Sequence, residues 1–553
     1  MRHVRVLSGA VRALHPYMAT APSVGQKRKV YQTTTTVVSA GGVQGSVTTT
    51  TTTMEPAAAP SLPAHLALAT WNTAAINNNP FEYWITHNDA AYNKLMDDVQ
   101  LFIDEPGERD VRVDSVFTPE MFAELAAEME KVGMEGVSTV ATMWEAEYRG
   151  RTIIGGFMKD RTIGSKRLAS MPDRMTNTIN TLDEGAVCRP TIINCYGSDM
   201  DSVESWWRQW RSFVFGKTVL VKTKSGSEKR EVWSLLQRIP RRKYPDISEE
   251  EEAVSIPLQL LCQAIFDATL VHMLNLVAPS KWYPLKMSIC QSLNVNKQQL
   301  TLDIVSNHYA HIDALFMQEV AGVFVDHVSQ RQALDRVFSV VVPEKLDGTR
   351  DQNSIILLSK RRWDISSVVE VTDQIFSALD PEEAKAVAPG DLFAISLRDL
   401  SGAEYLLVCY HGDTAGQASI PTIKAVVKVK DGSFPSSTLI CGIDANTYDV
   451  GTKKLLALSD FTAAIEGMGL ASCWGSPLNK EAAGCTTYNA RTYLQPQLNK
   501  ATKKADVVRF RRIVSIVAVR GWLPFTLADD VVVNACLSAS TISTRHFGAK
   551  LMS

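Results

Sequence analysis

The pattern of hydrophobic and polar positions divides the chain into four segments. Residues 1–60 combine threonine runs with small residues, a composition that cannot bury a core, so we predict a disordered leader there. Residues 61–90 contain a short apolar run that ends at Asn72, which predicts a buried strand. Residues 91–285 show mainly helical periodicity, whereas 286–553 alternate apolar runs of strand length with helical stretches.

Individual elements follow from the same pattern. The predicted helices span 81–103, 119–132, 203–215, 255–276 and 302–309. The predicted strands span 66–72, 314–319, 354–358, 392–397, 405–410, 438–443 and 513–519. Because short strands alternate with helices, we predict an α/β domain of two packed β-sheets flanked by helices, formed by 61–90 together with 286–553. Residues 91–285 would then be a large, mainly helical insertion in which Trp206, Trp207 and Trp210 lie in the core or at a domain interface.

Composition narrows the class of protein. The chain has 45% hydrophobic and 21% charged residues, which is typical of a soluble globular protein. A formal net charge of −2 gives no overall attraction for polyanions, so local basic patches or a metal ion must hold such a substrate. The nine cysteines include no pair with zinc-knuckle spacing, which favours a reducing, intracellular compartment. We find no apolar run of 18 residues and predict no transmembrane segment.

The leader admits two interpretations. Six basic residues precede the first acidic residue, Glu55, and the segment is rich in serine and threonine. This composition is typical of a transit peptide for import into mitochondria or another organelle. The alternative is a disordered tail that lacks acidic residues.

Candidate chemistry is concentrated where apolar runs end. Five sites occur in this order: Thr70-Trp71-Asn72, Met317-Gln318-Glu319-Val320, His411-Gly412-Asp413, Gly442-Ile443-Asp444-Ala445-Asn446 and Arg545-His546-Phe547-Gly548. Two accessory pieces are Asp351-Gln352-Asn353-Ser354 and Asp506. In this order the motifs resemble those of the endonuclease/exonuclease/phosphatase (DNase I-like) superfamily, over residues 66–80 and about 300–550. The resemblance implies a four-layer α/β sandwich with two mixed β-sheets between helices.

The resemblance also implies roles for these residues in phosphoryl chemistry. A hard cation such as Mg²⁺, with Mn²⁺ as the alternative, prefers carboxylate and carbonyl oxygens. The resemblance implies that Glu319 and Asn72 are metal ligands, that Asp444 is the base that deprotonates the attacking water, and that Asn446 holds this water or a phosphate oxygen. It implies that His546 donates to the phosphate and that Asp506 is the carboxylate that orients His546. It also implies that His411 is a catalytic residue in contact with phosphate and that Asn353 is a further substrate contact.

Each motif also has a structural interpretation. Glu319 can be a solvated carboxylate after a strand, and His411 can be a structural histidine. The Asp444–Asn446 segment can be an Asx turn that closes a strand, and Asn353 can belong to a turn.

The chain departs from the superfamily pattern in two ways. Arg545 stands where the family has an aspartate on the metal side of the site, and a positive charge there should weaken cation binding. In addition, Asn72 and Glu319 are far apart in sequence. Residues 91–285 must therefore be an insertion into the domain between the first and the second motif.

We therefore predict an Mg²⁺-dependent phosphoesterase, with nucleic acid as the first substrate class. A basic stretch supports a polyanion path, although a solvated loop explains it equally well: Arg149, Arg151, Lys159, Arg161, Lys166, Arg167 and Arg174. The alternatives are a lipid or inositol-phosphate phosphatase of the same fold, or a catalytically impaired binding protein.

Overall fold

The structure of the protein is a computed structural model. It describes residues 66–74, 79–81, 89–169, 177–223, 226–348, 350–448 and 451–472, together with the backbone of 5–7 and 515–520.

The described strands are as follows: β1 (Arg5–Leu7), β2 (Leu68–Asn72), β3 (Thr178–Asn180), β4 (Ala186–Cys188), β5 (Thr218–Thr223), β6 (Gly226–Glu231), β7 (Ala314–Val320), β8 (Phe338–Val342), β9 (Asn353–Ser359), β10 (Trp363–Glu370), β11 (Leu392–Asp399), β12 (Glu404–His411), β13 (Thr438–Asp444), β14 (Ala471–Ser472) and β15 (Ser515–Arg520).

The described α-helices are as follows: α1 (Ala90–Asp104), α2 (Pro119–Lys131), α3 (Val137–Met143), α4 (Arg161–Ser165), α5 (Val203–Gly216), α6 (Glu249–Ala253), α7 (Ser255–Val277), α8 (Trp282–Cys290), α9 (Lys297–His308), α10 (Gly322–Gln330), α11 (Gln332–Asp335), α12 (Thr372–Phe376), α13 (Pro381–Ala384), α14 (Ser419–Ser433) and α15 (Leu458–Gly467).

Two large mixed sheets form the centre of the fold. The first has the order β1-β8-β9-β7-β2, and the second has the order β10-β11-β12-β13-β15-β14. Each sheet contains one parallel pair, β2 with β7 in the first and β12 with β13 in the second, while every other pairing is antiparallel.

An apolar layer joins the two sheets. Phe316 and Ile356 of the first sheet pack in the same cluster as Phe393 and Leu407 of the second, and all four are fully buried. Gly442 on β13 allows the close approach, since a Cβ atom there would lie 2.2 Å from Cγ of Phe316. The glycine of the Gly-Ile-Asp-Ala-Asn motif therefore has a packing role of its own.

Helices cover the outer face of each sheet. One apolar cluster joins α9, α10 and α11 to the first sheet, and another joins α12, α14 and α15 to the second. The order of layers is therefore helix, sheet, sheet, helix, and the predicted four-layer α/β sandwich is confirmed.

The segment between β2 and β7 is mainly helical and has a separate apolar core. Its buried residues run from Phe81 to Ile289, and Trp206, Trp207 and Trp210 are all buried among them, as predicted. Asp267 of α7 is fully buried and accepts hydrogen bonds from Arg189, Thr191 and Trp210 at 2.8, 2.6 and 3.0 Å. This network satisfies a charge pair that would otherwise be costly to bury.

The central helix of this segment, α7, is long and apolar. It is 23 residues long, and its apolar window has a mean hydropathy of 1.6, so its length and composition alone would allow it to cross a membrane. Gln259, Gln263 and Asp267 interrupt its sequence, so the helix contains no continuous apolar run of 18 residues. These polar residues are buried, as is 78% of the helix's apolar window, so α7 packs as a core helix within the described structure.

Local carboxylates neutralise part of the basic stretch. Three of its cations form ion pairs: Arg149 with Asp114 and Glu145, Arg151 with Asp160 and Glu147, and Lys166 with Glu251. Such pairs reduce the charge available to a polyanion, so the structure favours the solvated-loop interpretation for these three cations.

Most predicted elements agree with the structure to within a few residues. The first helix begins at Ala90, because the Asp89 side chain accepts hydrogen bonds from the backbone of Ala91 and Tyr92 and caps the helix there. Strands β8 and β10 were not predicted. The first is a run of five buried residues, and the second has mostly partly buried positions without clear alternation.

Candidate active site

The two parallel pairs position the candidate site. Asn72, the last residue of β2, pairs in register with Gln318 of β7, so Glu319 follows directly beside it. In the other sheet, His411 pairs in register with Asp444, and each ends its strand. Parallel neighbours end at the same edge of a sheet, and packing of the two sheets brings these two edges together.

A β-bulge directs Glu319 into the site. The register between β7 and β9 shifts by one residue between Met317 and Val320, and Glu319 has a left-handed φ of +56°. A left-handed conformation at a residue other than glycine costs about 1–3 kcal/mol and is found mainly where the surroundings enforce it. The bulge aims the carboxylate away from the ladder and toward Asn72.

The Asn72 amide bridges two carboxylates from different sheets. Its Nδ2 donates to Glu319 Oε1 at 2.8 Å and to Asp444 Oδ2 at 2.7 Å. Its Oδ1 accepts from the backbone N–H of Ala74 at 2.8 Å, which fixes the orientation of the amide. One side chain therefore ties the first sheet to the second at the centre of the site.

Asp444 and Asn446 form a tight turn at the end of β13. The backbone N–H of Asn446 donates to Asp444 Oδ1 at 3.1 Å, and Asn446 has a φ of +50°. This is an Asx turn, and the same turn lies inside the site, since Asn446 Nδ2 donates to the Gly412 carbonyl at 2.6 Å and lies 3.2 Å from His411 Nε2. The Asx turn and the predicted candidate site are therefore formed by the same residues.

His411 lies between two carboxylates. Its Nε2 is 3.1 Å from Glu319 Oε1, and its Nδ1 is 3.3 Å from Asp391 Oδ1. Arg350 donates to the same Asp391 oxygen at 3.0 Å. The site thus contains a chain of alternating charges from Arg350 through Asp391 and His411 to Glu319.

This arrangement shifts the pKa of two groups. Burial alone lowers the pKa of His411, but hydrogen bonds to Asp391 and Glu319 outweigh that effect and raise its pKa to about 10. His411 is therefore a cation at neutral pH. Burial raises the pKa of Asp444, although His411 and Asn72 act in the opposite direction. A carboxylate that is more basic than usual suits proton abstraction.

Asp391 and Arg350 belong to the site but were not predicted from the sequence, and Gln318 was predicted only as part of a motif, with no role of its own. Asp391 precedes β11, and because β11 runs antiparallel to β12 it lies beside the end of β12, where the His411 N–H donates to its carbonyl at 2.8 Å. Only the pairing of these two strands, which the sequence does not state, reveals this position. Gln318 is buried between the sheets, where its amide contacts Thr70 Oγ1 and the Gly442 carbonyl at 3.0 and 3.3 Å.

Asn353 has a different set of contacts from the phosphate contact predicted for it. It is buried, and its amide accepts from the backbone N–H of Asp347 at 2.8 Å and donates to the Val320 carbonyl at 3.2 Å. These bonds hold the 347–353 loop against the end of β7. A role for Asn353 in substrate binding stays a prediction.

His546, Asp506 and Arg545 lie outside the described residues. The predicted donor role of His546 and the orienting role of Asp506 therefore stay predictions. Of the eight predicted site residues, the structure brings five together: Asn72, Glu319, His411, Asp444 and Asn446.

The chemistry of these residues fits a hard cation held by few protein ligands. Glu319 supplies a carboxylate, and Mg²⁺ commonly uses one or two carboxylates and keeps several waters. Asn72 could hold an ion only through Oδ1, whereas its Nδ2 faces Glu319 in this structure. Within the described residues, no group of three or more His, Cys, Asp or Glu side chains is arranged to hold a metal ion. A site here would therefore rely on water and substrate for most of its ligands.

Comparison with known proteins gives one family match and several similar structures. A family described as "Domain of unknown function (DUF8234)" matches residues 110–287, which lie almost wholly within the helical segment between β2 and β7. Curated protein sequences give no match.

Three of the similar structures each cover about two fifths of this chain. D. rerio TDP2 complexed with single-strand DNA product is 14% identical and covers 41% of this chain and 77% of its own, with a TM-score of 0.27. The endonuclease domain of TRAS1, a telomere-specific non-LTR retrotransposon, is 15% identical over 40% of this chain and 77% of its own, with a TM-score of 0.22. An endonuclease/exonuclease/phosphatase from Bacteroides vulgatus is 14% identical over 41% of this chain and 80% of its own, with a TM-score of 0.28. The roles of residues in this chain therefore rest on the geometry of its own site.

Proposed function

We propose that the protein is a metal-dependent phosphoester hydrolase of the endonuclease/exonuclease/phosphatase type that acts on nucleic acid. One observation supports the proposal above all: Asn72, Glu319, His411 and Asp444 come from the ends of two parallel strand pairs in different sheets and meet in one hydrogen-bonded site. Separate strands have no structural need to place two carboxylates on one amide.

Glu319 would hold Mg²⁺ or Mn²⁺, and Asn72 would join it through Oδ1 only with its amide reversed from the orientation in this structure, where Nδ2 faces Glu319. A bound ion of this kind polarises a phosphoryl oxygen and stabilises the charge of the leaving group.

The remaining residues divide the work of hydrolysis. Asp444 takes the proton of the attacking water, a role that its raised pKa favours. Asn446 lies two residues further on and holds this water or a phosphoryl oxygen. His411 presents a positive charge toward an anionic phosphoryl group, and Asp391 fixes the orientation of its ring through Nδ1.

Nucleic acid as the substrate rests on the resemblance of the motifs. A lipid or inositol phosphate would use the same residues, and a binding protein would use the same cleft without hydrolysis. Arg545, in place of the family aspartate, favours the binding protein.

The test is hydrolysis of single-stranded RNA, single-stranded DNA and phosphoinositides, with and without Mg²⁺. We expect Mg²⁺-dependent cleavage of a nucleic acid by the full chain, and a loss of about 100-fold or more in turnover for Asp444→Asn, which removes the base. Asp460→Asn, an exposed carboxylate on α15, serves as the control and should keep full activity.

The outcomes separate the alternatives. Cleavage of phosphoinositides alone would assign the protein to the lipid or inositol class. Turnover that is unaffected in Asp444→Asn would show that the assigned roles are wrong. If neither the wild type nor Arg545→Asp, which restores the family aspartate, hydrolyses any substrate or is stabilised by Mg²⁺, the chain is a binding protein.

A further inference from the structure

Three cysteines and one lysine form a cluster at the end of the helical segment, far in sequence from the strand-end motifs. Cys188 ends β4, Cys195 lies in the following loop, and Cys290 ends α8 one helical turn after Lys286. None of these three cysteines is in a disulfide. The proposed hydrolysis uses none of these residues.

Lys286 is an unusual member of this cluster because it is fully buried. Its Nζ donates to the Thr191 carbonyl at 3.1 Å and to the Tyr196 carbonyl at 3.0 Å, and within the described residues it forms no ion pair with a carboxylate. Burial lowers the pKa of Lys286 to about 8, while the three thiols act to raise it. A buried ammonium needs a nearby negative charge, and the groups that surround Lys286 and can supply one are thiols.

Cys290 is the thiol best placed to become that negative charge. The Cys195 thiol hydrogen-bonds to Cys290, and this bond, together with the Lys286 ammonium, lowers the pKa of Cys290 against the opposing effect of burial. Cys290 Sγ also lies 4.0 Å from the carbonyl of Asn194, the residue directly before Cys195. The two sulfur atoms are therefore neighbours, with a cation beside them.

Solvent reaches the cluster from the side of Cys195. Cys290 is buried, but Cys195 is partly exposed. The next residue, Tyr196, lines an open groove of 690 Å³ together with Arg208, Gln209 and Phe213. A small oxidant can therefore reach Cys195, and it reaches the buried Cys290 through a local opening of the loop that carries Cys195.

We propose that Cys290 and Cys195 are an oxidation site, at which hydrogen peroxide or another small hydroperoxide converts the two thiols to a disulfide. The proposal stands independently of the proposed hydrolase function.

The reaction proceeds in two balanced steps. The Cys290 thiolate attacks one peroxide oxygen, the O–O bond breaks, and hydroxide leaves and takes a proton from solvent, so Cys290 becomes a sulfenic acid. The Cys195 sulfur then attacks the Cys290 sulfur, the S–O bond breaks, and the departing hydroxide takes the Cys195 proton and leaves as water. The two thiols lose two electrons in total, and hydrogen peroxide is reduced to two waters.

The disulfide would connect two parts of the structure that are otherwise held by packing and hydrogen bonds. It would tie the 189–200 loop to α8, which leads through α9 into β7 and so to Glu319. Oxidation would therefore restrain α8, from which the chain continues through α9 into the first sheet.

Mass spectrometry of the full chain tests the proposal directly. The protein is treated with hydrogen peroxide, remaining thiols are alkylated, and tryptic peptides are compared with those of untreated protein. We expect peptide 287–297, in which Cys290 is the one cysteine, to be joined to peptide 175–208, which contains Cys188 and Cys195.

Variants identify the partner and the role of the cation. Cys195→Ser should abolish the link and leave Cys290 as a sulfenic or sulfinic acid, whereas Cys188→Ser should keep the link. Cys262→Ser is the matched control, since Cys262 is a buried cysteine of the same segment outside the cluster. Lys286→Met removes the ammonium and should slow the oxidation of Cys290 by about tenfold or more, because less thiolate is present.

Two results would overturn the proposal, and neither depends on a variant that folds. The first is that Cys290 of the wild type remains a thiol, and is therefore alkylated, although peroxide has oxidised other cysteines of the native protein. The other is a link that joins Cys290 to cysteines outside peptide 175–208 as often as to those within it.

Discussion

Glu319 and Asp444 share one hydrogen-bond donor: Asn72 Nδ2 lies 2.8 Å from Glu319 Oε1 and 2.7 Å from Asp444 Oδ2. Two carboxylates on a single amide place negative charge close together, and His411 is the cation that contacts one of them directly. The site is therefore sensitive to any change that removes a carboxylate, the amide or the imidazolium.

Glu319→Gln should mainly weaken the affinity for Mg²⁺. The substitution keeps the size of the side chain and removes the carboxylate charge that a hard cation prefers. A ligand at 100 times its Kd stabilises a protein by about 2.7 kcal/mol, so the rise in Tm with added Mg²⁺ measures the affinity. We expect the rise to require a higher Mg²⁺ concentration in the variant, and excess Mg²⁺ to restore part of the activity. An identical Mg²⁺ dependence in both proteins would exclude Glu319 as a ligand.

Stability should fall at alkaline pH as His411 loses its proton. The pKa of His411 is about 10 in the folded protein, against about 6.5 for an unperturbed histidine. A pKa raised by folding gives stability that is fully present below about 6.5 and is lost as the pH rises through about 10. Urea unfolding of the wild type and of His411→Gln across this pH range isolates the contribution of His411 to the free energy of unfolding. This pH-dependent contribution should appear only in the wild type.

Asp391→Asn should shift this loss to lower pH. The substitution removes the carboxylate on Nδ1, and Glu319 then remains as the carboxylate in contact with the ring. The pKa of His411 should fall, which NMR of the imidazole protons can follow. Asp399→Asn at the other end of β11 is a matched control, because Asp399 is also buried and pairs with Arg362 rather than with His411. Equal shifts in both variants would contradict the role of Asp391.

Gly442→Ala should destabilise the sandwich. The added Cβ would meet the Phe316 ring at 2.2 Å, and forcing extra volume into a packed core typically costs about 1–3 kcal/mol. Gly432→Ala on α14 is the control, since a Cβ there meets nothing within 4 Å and alanine favours a helix. Chemical denaturation measures both. If Gly442→Ala lowers stability as much in the Phe316→Leu variant as in the wild type, contact with the Phe316 ring is not the cause of the loss.

Asp267→Ala should unfold or strongly destabilise the helical segment. It leaves the Arg189 guanidinium buried without its carboxylate, and breaking such a pair typically costs about 3–5 kcal/mol. Asp98→Ala removes an exposed partner of Lys94 on α1 and should cost about 0.5 kcal/mol or less. Similar losses of Tm in the two variants would show that the buried network contributes little.

The sequence was most informative where a local pattern corresponds to a local structure. Apolar runs gave β7, β9, β11, β12 and β13, and the order of the motifs indicated which strand ends would meet. The sequence could not give Asp391, because its place beside His411 depends on the antiparallel pairing of β11 with β12.

Backbone conformation was equally hidden from the sequence. The orientation of Glu319 depends on a bulge and a left-handed φ, and glutamate gives no local signal for either. The contacts of Asn353 could not be predicted because they are made to the backbone of a neighbouring loop.

The parallel pairing of β2 with β7 has a consequence for the order of folding. These neighbours are separated by the whole helical segment, and Asn72 meets Glu319 across 247 positions. Closing a flexible loop of that length costs entropy, and contacts so distant in sequence slow folding. If the helical segment folds first around its own core, it draws its two ends together and shortens the loop that remains. Catalytic competence would then appear late in folding and would depend on a unit whose described residues all lie outside the site.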